Sequence, residues 1–466
     1  MKQFSLVLLI LTALTSTSFG EEHSRFIPND LYFQHQWYAD YDGRALPLAL
    51  PHTHRRVPEE IREQAMFEAL LRYGMVPEVI LVPIELEGKE DVDIDLPEAW
   101  AWSMAQEDGL TVADNGVVSF ENQDCTIAVI DGGFQLDHPD LEYQIWENPG
   151  ESGDLARNRE DDDGNNLIDD LHGWNFVKNN RLITSDPGHG TTTAGVIVAE
   201  MNNGQGIAGV APGCKLMPLV AVPIHGVAMD EFLPAAASIA ASIEYAISKN
   251  ATVISMSLAL PSVETRISLI ERALRRPLTT EEREEILEKF TAEETLALNT
   301  ILGPAIQKAY EANIPVVAAA GNNSNEEKVY PAAFPTVISV ASVGNDGFVS
   351  EFSTRGRWVD VSAPGEFVLG PCETDVCGGN FPCNINGAIC HFHDGYAHPQ
   401  GTSMAAPLVA GVVAMIKTHF PLLNTWEVRK SLVETGVEVE GGVVVGPLVK
   451  AAAALEKAKE LDARWF

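Results

Sequence analysis

The sequence predicts an α/β fold with a mostly parallel central sheet covered by helices on both faces. Three observations carry that expectation. Short, continuous apolar runs recur at 126–130, 216–220, 252–257 and 315–320, without the polar alternation of a half-exposed strand. Stretches of small and apolar residues with helical character, at 195–200, 238–248 and 306–312, alternate with those runs, as crossovers in a parallel sheet require. Asp131 and Asn322 fall at the ends of such strands, and chemistry in open α/β sheets gathers at the carboxyl ends of strands.

Composition bounds the rest. A chain of 466 residues, 45% hydrophobic and 21% charged, can bury a large core as one elaborated α/β domain or as two or three domains. Residues 1–20 carry Lys2, an apolar run from Phe4 to Leu14, and the small residues Ser18 and Gly20, the pattern of a secretory signal. That run is short for a bilayer span, and no other stretch approaches the roughly 20 apolar residues one needs. The expectation is therefore a secreted, extracellular protein, or a periplasmic one, with no membrane attachment after signal cleavage. A net charge of −35 argues against electrostatic binding to nucleic acid or an anionic membrane.

Six cysteines in an exported chain make disulfides the default. Cys372, Cys377, Cys383 and Cys390 crowd one Gly/Asn-rich stretch and are expected to pair among themselves. A zinc cluster helped by His391 and His393 is the competing reading. Cys125 and Cys214 are left, each opening an apolar run.

The chemistry centres on Gly401-Thr402-Ser403-Met404-Ala405-Ala406-Pro407, where one hydroxyl meets a helix start among small residues. A serine hydroxyl attacks at neutral pH only when a base takes its proton. His189, in Gly188-His189-Gly190-Thr191-Thr192-Thr193-Ala194-Gly195, is the candidate base, and Asp131, closing Thr126-Ile127-Ala128-Val129-Ile130, the candidate orienting acid. Asn322, in Ala318-Ala319-Ala320-Gly321-Asn322-Asn323, offers an amide for the negative oxygen that attack on a carbonyl creates. In this order, Asp, His, Asn, Ser, the four segments resemble those of the subtilisin-like serine peptidases (subtilases, peptidase family S8), and the likeness runs from about residue 95 to 455.

The resemblance implies a subtilisin-like three-layer fold and a serine endopeptidase acting on peptide or protein substrates through an acyl-enzyme. It gives Asp131, His189, Ser403 and Asn322 the catalytic roles. Ser257, Leu258 and Ala259 look like the extended edge that holds substrate, and Ala319, Ala320 and Gly321 like the floor of the pocket for the residue before the scissile bond. The commoner family pattern has Ser or Thr after the acid; here Gly132 supplies no hydroxyl, which removes one orienting contact. Cys125 and Cys214 open strands that neighbour one another in the family's sheet, implying a bridge between them.

Structural calcium is the cofactor implied. Asp161, Asp163, Asn165 and Asp170 stand in an acidic run resembling the calcium-type loop ahead of Gly173-Trp174-Asn175-Phe176, although His172 at its twelfth position rules out a true EF-hand. Asp140 and Asn203 resemble a second calcium site of the family. A solvated acidic turn is the alternative for the first loop.

The organisation expected is a signal at 1–20, an N-terminal segment at 21–95, and a catalytic domain at 96–460 with insertions at about 260–302 and 370–395. Residues 21–95 admit two readings. They are a pro-region, or a mature extension beginning with Phe26-Ile27-Pro28-Asn29-Asp30 and carrying an α-rich insertion at 44–90, with a helix at 58–73 and a strand at 78–86. The contrasting functional class is a catalytically silent binding or inhibitory module. A kexin-like enzyme is disfavoured because about sixty residues follow Ser403. The protein is expected to be a monomer.

Overall fold

Strand β1 (Thr126–Asp131) is the axis of the sheet. In this computed structural model the described residues are 30, 93–106, 110–112, 118–120, 125–184, 188–223, 231–372, 383–385, 388–390, 395–442 and 444–463. The helix and strand expected within 44–90 lie outside them, as does most of 370–395. The other sheet strands are β2 (Trp174–Asn175), β3 (Lys215–Val220), β4 (Val253–Met256), β5 (Val316–Ala319), β6 (Val337–Val343) and β7 (Val361–Pro364). They form one sheet in the order β2-β3-β1-β4-β5-β6-β7, with every pair parallel.

The period-2 alternation of a strand explains why β1 is apolar throughout. Ile127 and Val129 face a core built with α2 (His189–Val198) and α7 (Thr402–His419), whereas Ala128 and Ile130 face a second core. That second core is built with α3 (Phe232–Ser248) and α6 (Gly303–Glu311). Both faces are thus covered, giving the three layers expected. Helix α7 is buried along nearly its whole length and packs across β4 to β7, which accounts for its lack of a charged face. Helices α1 (Leu96–Met104), α8 (Thr425–Thr435) and α9 (Ala451–Asp462) add their apolar sides to the α7 core.

The chain leaves β1 toward β3 on one side and later returns to β4 on the other, so the strand order reverses beside β1. Ligand sites in such sheets lie outside the carboxyl ends at that switch. Pairing of Ile130 with Met256 places Asp131 level with Ser257, the residue after β4.

The insertion at 260–302 is helical as expected, forming α4 (Val263–Leu274) and α5 (Thr280–Leu296). A capping box between Thr279 and Glu282 starts α5. Arg266 fastens the insertion to the domain. Its buried guanidinium lies between the rings of Phe232, 4.5 Å away, and Phe290, 3.6 Å away, and pairs with Glu293. No helix among the described residues is long and apolar enough to cross a membrane.

Cys125 and Cys214 form the expected disulfide, with Cα atoms 4.6 Å apart, because parallel pairing of Thr126 with Lys215 brings the preceding residues together. Cys372 is also disulfide-bonded, while Cys377 lies outside the described residues. The Cys125–Cys214 bridge closes 89 residues of sequence, so its loss frees a long loop in the unfolded chain. Replacing both cysteines by alanine is expected to cost about 2–5 kcal/mol in denaturant unfolding with the fold retained by circular dichroism.

Candidate active site

The Asp131 carboxylate ends β1, and three groups hold it. Nδ1 of His189 lies 2.8 Å from Oδ1 and 2.9 Å from Oδ2, the Gly132 N–H donates to Oδ1 at 2.7 Å, and the Thr193 hydroxyl donates to Oδ2 at 3.2 Å. Because an ionised carboxylate only accepts, Nδ1 carries the proton, and Nε2 is left as the basic atom. Burial, the largest effect on His189, pulls its pKa down, but the adjacent Asp131 charge and hydrogen bond outweigh it and set it above its ordinary value. Thr193 is a contact to Asp131 that sequence reasoning missed. It stands one helical turn after His189 on α2, and its hydroxyl supplies the contact that Gly132 cannot.

Gly190 lets this pair form. A Cβ there would lie 2.3 Å from the Gly133 carbonyl oxygen and 3.2 Å from the Asp131 Cβ, so any side chain would separate α2 from β1.

Ser403 occupies the second position of α7, and its backbone is opened by the proline four residues on. A helical residue at 407 would donate its N–H to the Ser403 carbonyl, but Pro407 has none. The Ser257 hydroxyl donates there instead, at 2.8 Å, and the Ser403 hydroxyl donates back to the Ser257 carbonyl at 3.2 Å. This reciprocal pair ties the start of α7 to the end of β4, level with Asp131. Among the described residues Ser403 makes no hydrogen bond to His189. Catalytic hydrogen bonds are often long or misdirected before substrate arrives.

Asn322 is exposed, and its orientation is fixed by Thr402. The Thr402 N–H donates to Asn322 Oδ1 at 2.9 Å and its hydroxyl does so at 3.0 Å, while the Gly321 N–H donates to the Thr402 hydroxyl at 3.1 Å. A backbone N–H can only donate, so the oxygen must face Thr402 and Nδ2 must face outward. Gly401 keeps that amide clear. Its φ of +148° suits glycine, and a Cβ would lie 3.2 Å from Nδ2. The Ser403 N–H, in the first turn of α7, has no intrahelical acceptor and directly follows Thr402, whose N–H and hydroxyl hold Asn322 Oδ1.

The proposed substrate edge follows β4. Ser257 is buried, Leu258 half-buried and Ala259 exposed, and Leu260 bonds its N–H to the Tyr330 carbonyl at 2.9 Å. Ala319, Ala320 and Gly321 run buried out of β5, and a Cβ on Gly321 would lie 3.1 Å from Cγ2 of Val329.

The acidic loop is arranged differently from its sequence spacing. Asp163 and Asp170 come together, but the third carboxylate is Glu151, with one oxygen from each of the three within 4.8 Å of the others. Asp161 instead accepts from the backbone N–H groups of Gly164, Asn165 and Asn166, and the Asn165 amide donates to Asp170. Glu151 Oε2 is buried without a hydrogen-bond partner, and burial raises the Glu151 pKa. A divalent cation would satisfy this orphan oxygen, so the donor set fits calcium. At the second expected site Asp140 accepts from the Asn203 amide at 3.2 Å, the Ile207 N–H and the Tyr396 hydroxyl. Sequence reasoning missed Asp30 here. It accepts from the N–H groups of Asn202 and Asn203, and burial, with Asp140 nearby, pushes it up to about 7.

A parallel α/β sheet that gathers at its switch point an Asp–His pair, a helix-start serine and an outward amide defines a protein of the serine peptidase class. The Subtilase family profile matches residues 122–454, and the chain belongs to that family. It is 29% identical over 299 residues to thermitase of Thermoactinomyces vulgaris, covering 64% of this chain and 77% of that one. To the thermophilic serine proteinase of Bacillus sp. strain AK1 it is 28% identical over 315 residues, covering 68% of this chain but only 57% of the relative's length. A solved protease structure from Pseudoalteromonas arctica PAMC 21717 shares the fold, with a TM-score of 0.54, 23% identity, and coverage of 92% of this chain and 99% of that one.

Two outcomes are expected from the Asp131–His189 geometry. Thr193→Val, which removes a hydrogen bond to a charged group worth about 1.5–3 kcal/mol, lowers kcat/KM roughly tenfold or more, measured on a peptide substrate. The acid limb of the pH profile of kcat/KM lies above the ordinary histidine value of 6.5, since the base must be neutral and its pKa is raised.

Proposed function

We propose that this chain is an exported, calcium-stabilised serine endopeptidase that hydrolyses peptide bonds through an acyl-enzyme, with Asp131, His189 and Ser403 as its triad. The observation that carries this reading is the level placement of the Asp131–His189 pair and the Ser257–Ser403 pair on adjacent parallel strands. In this mechanism the Ser403 hydroxyl leaves the Ser257 carbonyl for Nε2 of His189 and attacks the substrate carbonyl as its proton passes to the imidazole. Asp131 stabilises the imidazolium that forms, and Thr193 and the Gly132 N–H hold Asp131. The Asn322 amide and the Ser403 N–H meet the oxygen as it gains charge. His189 then gives its proton to the leaving amine, and water, deprotonated by the same imidazole, cleaves the ester.

Substrate would lie extended along Ser257, Leu258 and Ala259, with the side chain before the scissile bond directed toward Ala319, Ala320 and Gly321. No carboxylate occurs in either segment, which favours an apolar or broad preference. Glu151, Asp163 and Asp170 would hold one calcium ion, and Asp30, Asp140 and Asn203 a second. Calcium there supplies charge compensation that stabilises the fold and takes no part in bond cleavage. The hydrogen bonds from Asn202 and Asn203 to Asp30 support the reading of residues 26–30 as the start of the mature domain. The apolar run and small residues of 1–20 support export.

The bond between the Ser403 hydroxyl and the Ser257 carbonyl favours a second reading, a silent binding module that kept the fold. A fluorophosphonate probe separates the two. Stoichiometric labelling of the calcium-loaded protein, abolished in Ser403→Ala, is the expected result; absence of labelling in folded protein would refute the enzyme.

A further inference from the structure

The acidic loop already contains a cation. Lys249, the residue closing α3, directs its ammonium into the cluster, donating to Asp163 Oδ2 and lying 4.0 Å from Asp170 Oδ2. Its Nζ lies 5.4 Å from the centroid of the Tyr245 ring, whose hydroxyl donates to Asp170 Oδ2 at 2.6 Å. The Lys249 side chain is only 11% exposed, so this is a seated group rather than a surface lysine passing by.

One ammonium does not balance three carboxylates. Lys249 meets Asp163 and Asp170, while Glu151, at 0% exposure, keeps Oε2 without a partner. Its Oε1 is occupied by the Asp162 N–H at 2.8 Å. The cluster is therefore compensated on the α3 side and left electrostatically open on the Glu151 side. A divalent ion would compensate both, but it needs oxygens that the ammonium now holds.

We propose that Lys249 is the resident counter-cation of the Glu151, Asp163 and Asp170 cluster, and that calcium enters only by displacing its ammonium to solvent. The proposal builds on the calcium reading of this loop. The four-carbon stem of lysine makes the exchange feasible, since the head can swing out and regain its hydration. Occupancy by Lys249 keeps the loop folded at low calcium and scales apparent calcium affinity down to the fraction of molecules in which the ammonium is unseated.

The test uses the full chain with Ser403→Ala to prevent self-cleavage, comparing Lys249 with Lys249→Met by thermal melting in chelator and by calorimetric calcium titration. The expected result is that Lys249→Met melts lower in chelator, recovers with calcium, and binds calcium at least about tenfold more tightly at one site. Unchanged melting in chelator with unchanged affinity would overturn the proposal. If both proteins bind calcium equally and Asp163→Asn abolishes that site, the calcium reading stands and the proposal falls. If neither binds calcium and Lys249→Met still melts lower, Lys249 is upheld as the resident cation and the calcium reading falls.

Discussion

The parallel pairing of β1 with β4 is the constraint on which the rest of the structure depends. Register between Ile130 and Met256 sets Asp131 beside Ser257, and each then collects a partner from a different helix. His189 arrives on α2 and Ser403 on α7, two helices packed against each other on one face of the sheet. A slip of one residue in this pairing would turn Asp131 to the opposite face and separate the two halves of the site.

Around that register, small residues and one proline decide what can approach. Gly190 allows α2 to close on β1, and Gly401 clears the Asn322 amide. Pro407 withholds the N–H that would have claimed the Ser403 carbonyl, so the helix start is fastened to Ser257 instead. Thr402 uses its N–H and hydroxyl to turn Asn322 outward. These are backbone arguments, and they explain why seven residues around Ser403 carry so much of the site's character.

The electrostatics follow a common pattern, in which buried carboxylates are tolerated only where donors or cations meet them. Asp131 has an imidazole, a hydroxyl and an N–H. Asp163 is pushed up by burial, yet hydrogen bonds from Lys249 and Asn148 bring it below its ordinary value. Glu151 and Asp30 are met only by backbone N–H groups, which do not offset burial, and both are raised. Asp131, the proposed catalytic acid, is thus the carboxylate best met by donors, and the two raised by burial lie in the loops proposed to take calcium.

The sequence by itself determined the fold class and the strand runs, and its likeness to the subtilases nominated Asp131, His189, Asn322 and Ser403 and implied the Cys125–Cys214 bridge that the structure forms. It could do so because continuous apolar runs mark buried parallel strands and because the chemistry occupies short local segments. Only the tertiary structure decided how Asp131 is held and which acids share a cation. Thr193 lies 62 residues from Asp131, and Lys249 lies 86 from Asp163. Glu151 precedes the acidic run by ten residues and carries no spacing signal, while Asp161, well placed in sequence, folds back on its own loop. Contacts of this kind come from helices docking across a sheet, and linear spacing holds no record of which side chains that docking brings face to face.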